Sequence, residues 1–285
     1  MPAFDFEGTT SLVTGASSGL GEQFARQLAA RGSSLVLVAR SADRLATLAD
    51  ELRARHPVTV ATVPADLSQA HEVGRVAAHA AATEVDVLVN NAGFGTYGTF
   101  AGLDPGREHA EMMVNAVAVV DLAHAVLPSM LAHRRGGIIT VASSIAFQPS
   151  PHQAVYGATK AFALSFSEAL WAETRGTGVR ILALCPGPVA TGFLASLGDP
   201  AATSSVIYGR TADPADVVRA ALRGFDNDAM TIIPGLRTRL LAQGHRFLPR
   251  TVMARMTGKM LAPAEEHTTT DAEHAATPPA PDAGR

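Results

Sequence analysis

The chain has one cysteine, Cys185, in 285 residues, so an intramolecular disulfide and a thiolate metal cluster are both excluded and Cys185 reads as buried filler. Lysine is almost as scarce: of 23 basic residues only Lys160 and Lys259 are lysines. Charged side chains make up 17% of the sequence, against about 25% in average globular usage. That scarcity favours extensive burial or association. The net charge of −3 gives no global electrostatic reason to expect nucleic acid. No uninterrupted apolar run reaches 18 residues, and residues 1–8 carry Asp5 and Glu7 in place of a basic stretch followed by an apolar one. Neither a spanning helix nor a secretion signal is expected, and a cytoplasmic placement is the simplest reading. The ten histidines show no paired spacing beside acids, so no metal is expected.

What is present is a regular alternation. Short β-branched or leucine-rich runs recur at Ser11–Thr14, Ser34–Ala39, Val58–Val63, Val85–Val89, Gly137–Val141, Val179–Leu184 and Met230–Ile233. Between them lie stretches with helical spacing, at Glu22–Arg31, Ser41–Arg55, Gln69–Ala82, Glu108–His133 and Ala154–Arg175. Strands that are continuously apolar suit a parallel sheet covered by helices on both faces. The expected fold is therefore α/β, a single doubly wound domain around a mainly parallel, seven-stranded sheet. After Leu184 the pattern breaks at Cys185-Pro186-Gly187-Pro188, and no regular element is expected before about Asp213. A loop of that length outside the carboxyl ends of such strands is a candidate lid.

The first strand runs into Gly15-Ala16-Ser17-Ser18-Gly19-Leu20-Gly21 and then a helix. Glycines there let backbone approach a pyrophosphate, while free amides and the dipole at the helix N-terminus attract its charge. Where NAD is preferred, an acid about 20 residues past the loop binds the adenosine ribose, whereas an arginine accommodates the 2′-phosphate of NADP. This chain offers Arg40, with Ser17, Ser41 and Arg44 as further donors and Asp43 as the one nearby acid. The charge pattern predicts NADP.

Tyr156-Gly157-Ala158-Thr159-Lys160 puts a phenol and an ammonium four residues apart, on one face of a helix. A tyrosine ionises near about 10, and an adjacent cation favours its phenolate, which suits proton exchange with an alcohol or carbonyl oxygen. Upstream, the strand Gly137–Val141 ends in Ala142-Ser143-Ser144, placing hydroxyls at the same sheet edge as the glycine turn.

These residues resemble the short-chain dehydrogenases/reductases over about residues 8–234. The shared motifs are Thr14-Gly15-x-x-x-Gly19-x-Gly21, Asp66-Leu67, Asn90-Asn91-Ala92-Gly93, Asn115, Ser143, Tyr156-x-x-x-Lys160 and Pro186-Gly187. The resemblance implies a Rossmann-type NADP(H)-binding domain in which Tyr156 is the general acid/base and Lys160 lowers its pKa and holds the nicotinamide ribose. It implies that Ser143, 13 residues before Tyr156, positions the substrate oxygen, and that Asn115 holds a helix kink and a water. Asp66 and Leu67 then lie near adenine and Asn91, Ala92 and Gly93 along the cofactor's middle. Pro186, Gly187, Val189 and Thr191 fall beside the nicotinamide. The stretch Ser143–Lys160, with Phe147 and Pro149, resembles reductases acting on hydrophobic ketones, acyl chains or steroids. The expected activity is hydride transfer between the nicotinamide and a carbonyl or secondary alcohol; a non-catalytic NADP-binding regulator and an epimerase or dehydratase on the same fold are the alternatives. Homodimers or homotetramers are expected from the same resemblance.

The near-neutral total conceals opposed parts. Residues 1–234, the expected catalytic domain, carry 16 basic and 21 acidic groups. The segment 235–262 holds six bases and no acid among leucines and methionines, a pattern that suits either a membrane surface, through 235–260, or a helix packed on the domain with its arginines in water. Residues 263–285 turn to Ala, Pro, Thr and acids, the composition of a disordered tail.

Overall fold

The computed structural model describes residues 3–193, 197, 211–244 and 248–262. Seven strands form one sheet: β1 (Thr10–Thr14), β2 (Ser34–Ala39), β3 (Val60–Pro64), β4 (Val87–Asn90), β5 (Gly137–Val141), β6 (Arg180–Leu184) and β7 (Thr231–Ile232). Their order is β3-β2-β1-β4-β5-β6-β7, and every pairing is parallel. The chain winds outward in one direction from β1 to β3, then returns to place β4 on the other side of β1. A crevice opens at that reversal, outside the carboxyl ends of β1 and β4.

Because successive side chains of a strand point to opposite faces, each apolar strand feeds two cores. Val13, Leu37, Val89, Ile139 and Leu182 join Phe24, Leu45 and Phe225 on one face. Leu12, Val36, Leu88, Ile138 and Ile181 join Val76, Leu122 and Val126 on the other. This is why the strands read as unbroken apolar runs. Helices α1 (Gly19–Ala29), α2 (Ala42–Arg55) and α7 (Pro214–Asp226) supply the first layer, and α3 (Ala70–Ala82), α5 (Ala118–His133) and α6 (Ala154–Glu173) the second. The start of α7 at a proline preceded by Asp213, whose side chain accepts from the Ala215 amide at 2.7 Å, matches the expected return of regular structure.

The stretch expected as one helix over Glu108–His133 is three pieces. Helix α4 (Pro105–Met112) is capped by Asp104, a five-residue π-turn follows at Met113–Val117, and α5 completes the run. By length and composition Pro105–His133 is long and apolar enough to cross a membrane; its Leu122, Ala123, Val126 and Met130 are core residues. Cys185 is buried, as expected, and its thiol is pushed up to about 12 by that burial. Trp171 packs against the second core and donates to the Asp228 carbonyl.

The basic C-terminal segment divides into α8 (Leu236–Gln243) and α9 (Arg250–Leu261). In α9 Met253, Thr257 and Leu261 face inward at four-residue spacing, while Arg250, Arg255 and Lys259 are exposed. In α8 only Ala242 is buried, and Leu236, Leu240 and Leu241 stand 75%, 63% and 58% exposed. Most of the expected lid loop, and the whole of the expected tail 263–285, lie outside the described residues.

Candidate active site

The carboxyl ends of β1, β2, β4, β5 and β6 surround a cleft of about 780 Å³. Its floor at one end is the glycine turn. Gly15 and Gly19 have φ of +65° and +57°, which L side chains rarely adopt. Gly21 is required for another reason: a Cβ there would stand 2.2 Å from the Gly15 carbonyl oxygen. Gly21 therefore does not line the cleft but lets the turn fold beneath it, while Gly15, Ser17, Ser18, Gly19 and Leu20 do line it. Ser18 begins α1 without a side-chain cap, so the first-turn amides are free of it for an anion.

A bracket from β4 holds this turn. The Asn91 side-chain amide donates to the Thr14 carbonyl at 2.8 Å, and the Asn91 and Ala92 amides donate to Thr14 Oγ1 at 2.9 and 3.0 Å. Thr14 Oγ1 in turn donates to Val89 O at 3.2 Å. Asn91 is thus a scaffold for the turn as well as a lining residue, with Ala92 and Gly93 beside it. At the end of β2, Arg40, Ser41 and Arg44 line the cleft, both arginines are exposed, and Asp43 is not among the lining residues. Asp66 and Leu67 form the adjoining wall, with the Asp66 carboxylate accepting from the Ser68 amide at 3.0 Å.

At the other end, Ser143, Ser144, Tyr156 and Lys160 share the cleft wall. Ser143 leaves β5 in extended backbone, and its Oγ accepts from the Ile145 amide at 3.3 Å. Tyr156 lies in the first turn of α6 and Lys160 one turn on, both buried. Lys160 Nζ donates to the Val141 carbonyl at 2.9 Å and sits 5.8 Å from the Tyr156 ring centre. Burial lowers its pKa to about 8, with the Glu111 carboxylate opposing that shift.

Asn115 does not line the cleft. It sits in the π-turn with Nδ2 donating to the Phe94 carbonyl at 2.9 Å and to Thr159 Oγ1 at 3.2 Å, while Oδ1 accepts from the Phe94 amide at 3.2 Å. It ties the Gly93–Phe94 backbone to α6 from behind. Gly93 is squeezed between the two: a Cβ there would stand 2.9 Å from Asn115 Oδ1 and 3.1 Å from Lys160 Nζ.

Pro186, Gly187, Val189 and Thr191 close the cleft from β6. The Pro186 carbonyl accepts from the Ser144 amide at 2.8 Å, and a Cβ on Gly187 would touch Thr238 of α8 at 3.0 Å. Thr191 reaches across to Gly19, where its Cγ2 would stand 3.0 Å from an added Cβ. Beyond Tyr156 the wall turns apolar. Phe193 lies 5.2 Å from the Tyr156 ring, and Ile145, Tyr156 and Phe193 pack with Leu261 of α9, whose carbonyl accepts from the Tyr97 hydroxyl. Phe193, Leu261, Thr238 and Glu111 carry no motif that marks them in sequence. Among the described residues no group of three metal-ligating side chains converges.

Residues 9–201 match the family model described as short chain dehydrogenase. The chain belongs to the short-chain dehydrogenase/reductase family. This short-chain dehydrogenase is 37% identical over 204 residues to a sulfoacetaldehyde reductase of Chromohalobacter salexigens, covering 70% of this chain and 81% of that one. It spans about 60% of the length of two other curated relatives, at 38% and 32% identity. Among solved structures it is similar to a short-chain dehydrogenase from Sphingobium yanoikuyae in complex with NADPH, with TM-score 0.75, 30% identity and coverage of 97% and 99% of the two chains. It is also similar to a Burkholderia phymatum family member in complex with NAD, with TM-score 0.76, 26% identity and coverage of 84% and 93%. The family acts on carbonyl and alcohol groups of small molecules with a nicotinamide dinucleotide.

Proposed function

We propose that this dehydrogenase uses NADP(H) to interconvert a hydrophobic ketone or aldehyde and its alcohol, with Tyr156 as the general acid/base. The observation that carries the reading is the convergence of Ser143, Tyr156 and Lys160 on one end of a cleft whose other end is a glycine cradle beside Arg40 and Arg44. The cradle fits a dinucleotide, since side chains at Gly15, Gly19 or Gly21 would fill the space or strain the turn. Bound there, the nicotinamide supplies or accepts the hydride. Two cations at the end of β2, with Asp43 off the cleft, favour a 2′-phosphate over a ribose hydroxyl. Ser143 Oγ orients the substrate oxygen. Tyr156 Oη gives that oxygen its proton during reduction and takes it back during oxidation. The Lys160 ammonium, held against Val141 O, stabilises the phenolate left behind and keeps hydrogens for the ribose hydroxyls. Phe193 and Ile145, backed by Leu261, favour an apolar substituent on the carbonyl.

The domain reading follows the same geometry. Residues 1–234 form the catalytic body, and 235–262 close its substrate end through Thr238 and Leu261. Two surfaces support partners. Val117, Leu131 and Phe162 are exposed on the outer sides of the π-turn, α5 and α6, which favours a homo-oligomer; a monomer mass by light scattering overturns it. The exposed leucines of α8 beside Arg237 and Arg239 favour contact with an anionic membrane. Equal sedimentation with anionic vesicles for the full chain and for Leu240→Asp overturns that.

The deciding experiment is a panel of ketones, aldehydes and secondary alcohols with NADPH or NADP, run beside Tyr156→Phe. Turnover that falls about 100-fold or more in the variant is expected; turnover unaffected by the substitution removes Tyr156 from the chemistry.

A further inference from the structure

Glu111 is fully buried and belongs to none of the chemistry above. It lies in the last turn of α4, four residues before Asn115, and both α4 and the π-turn pack on α6, which carries Tyr156 and Lys160. Its Oε2 accepts from Thr96 Oγ1 at 3.0 Å, while Oε1 is buried and accepts nothing within the described protein. Glu108, three residues earlier, is also buried, and neither of its carboxylate oxygens accepts a hydrogen bond there. Two ionised carboxylates placed so dry each carry a large desolvation penalty, so a charge on either needs a cation nearby.

That cation is Lys160. A Cβ on Gly93 would meet both the Lys160 ammonium, at 3.1 Å, and Asn115 Oδ1, at 2.9 Å, and Asn115 sits on the π-turn that continues the helix of Glu111. No ion pair closer than 4.0 Å joins Glu111 to Lys160 among the described residues, so the two act through their charges. The other titratable groups around them are Glu108 on α4, Tyr156 on α6, Cys185 at the end of β6 and His152, whose ring stacks on Tyr97 next to Thr96. Cys185 stays neutral at working pH. His109 and Arg107 of α4 are exposed.

We propose that Glu111 is a positioning residue for the catalytic pair: its carboxylate, oriented by Thr96, is the buried counter-charge that keeps the Lys160 ammonium charged beneath Tyr156. Burial of an amine works against its charge, and here it takes Lys160 down to about 8, close to working pH. Burial takes Glu111 up to about 7. While Glu111 is protonated it gives Lys160 no support; once ionised, its carboxylate favours the ammonium against the burial that works against its charge, until Lys160 itself gives up its proton above about 8. The reading of Tyr156 and Lys160 as catalytic supplies the consequence for turnover, but the charge coupling itself is independent of it.

The scarcity of lysine makes the coupling directly measurable. With only Lys160 and Lys259 in the chain, lysine labelled with carbon-13 at Cε gives two signals, and Lys160→Met assigns them. The Lys160 midpoint is expected to fall by about one pH unit in Glu111→Gln and by less in Thr96→Val, where the carboxylate loses its hydroxyl donor. A Lys160 midpoint unmoved by Glu111→Gln overturns the proposal, whether or not the enzyme turns over any substrate in the panel. In the active enzyme, Glu111→Gln is expected to match wild type at pH 6 and fall increasingly behind above pH 7; a uniform loss at every pH marks a structural role and also overturns it. Absence of NADPH turnover in wild type defeats the functional reading alone.

Discussion

Lys160 donates its one described hydrogen bond to the carbonyl of Val141, the last residue of β5, at 2.9 Å. One helix and one strand end are thereby joined through a buried charge. The side chain cannot swing away from Tyr156 without leaving that carbonyl bare, and burying an unpaired carbonyl costs about 1–3 kcal/mol.

Lys160→Met is expected to abolish activity and, relative to wild type, to be less unfavourable for the fold at pH 7 than at pH 10. Burial depresses the folded pKa of Lys160 below the unfolded value, so the penalty on the charged form is fully present below about pH 8 and is relieved as pH rises toward the unfolded value. Urea unfolding should place the variant on the order of 1–3 kcal/mol higher relative to wild type at pH 7 than at pH 10, the bare Val141 carbonyl weighing the same at both. Lys160→Arg should not rescue turnover, because a guanidinium fork finds a single carbonyl acceptor where its geometry asks for two. An equal stability difference from wild type at both pH values for the methionine variant would show that the Lys160 charge carries no burial penalty.

Arg40→Asp should invert the cofactor preference. Both arginines at the end of β2 line the cleft and are exposed, so the substitution disturbs no core. The ratio of kcat/KM for NADPH to that for NADH should fall below one. An unchanged ratio would assign the 2′-phosphate to other groups.

Two glycines make a matched pair. Gly21→Ala forces a methyl to within 2.2 Å of the Gly15 carbonyl oxygen, backbone against backbone, and should lose NADPH binding with a destabilisation of about 1–3 kcal/mol. Gly74 sits on α3 with nothing within 4 Å of an added Cβ. Gly74→Ala should therefore stabilise by about 0.5–1 kcal/mol and leave NADPH titrations unchanged.

Leu261→Ala tests α9 as the wall of the substrate end. The side chain is fully buried against Ile145, Tyr156 and Phe193. Thermal unfolding should register a loss of roughly 2–5 kcal/mol. KM for a hydrophobic carbonyl should rise while the dissociation constant for NADPH stays put; a selective effect on NADPH would place α9 at the wrong end.

Much of the architecture is legible because the sheet is buried on both faces. Ser34–Ala39 and Gly137–Val141 have the same bounds in sequence and structure, since apolar runs start and stop where burial does. The break at Met113–Val117 is not legible from composition, for Met-Val-Asn-Ala-Val contains neither proline nor glycine; only the resemblance, which puts a helix kink at Asn115, marks the π-turn found there. The cleft residues Gly15, Arg40 and Tyr156 are readable from spacing and Ser143 from the family resemblance, whereas Gly21, expected at the cofactor, and Asn115, which the resemblance places at a helix kink, lie behind the cleft wall. The basic C-terminal segment reads as one amphipathic unit; in the structure α9 turns its stripe inward and α8 leaves its leucines outside. Glu111 escapes because an acid on a helix normally faces water, and its partner Thr96 lies 15 residues away in a loop.

The bracket between Thr14 and Asn91 has a consequence for synthesis. Its partners Asn91 and Ala92 follow directly on β4, whereas the apolar cluster behind the other end of the cleft waits for Leu261 of α9. At about 5–20 residues per second, on the order of ten seconds of synthesis separate the two sets of partners.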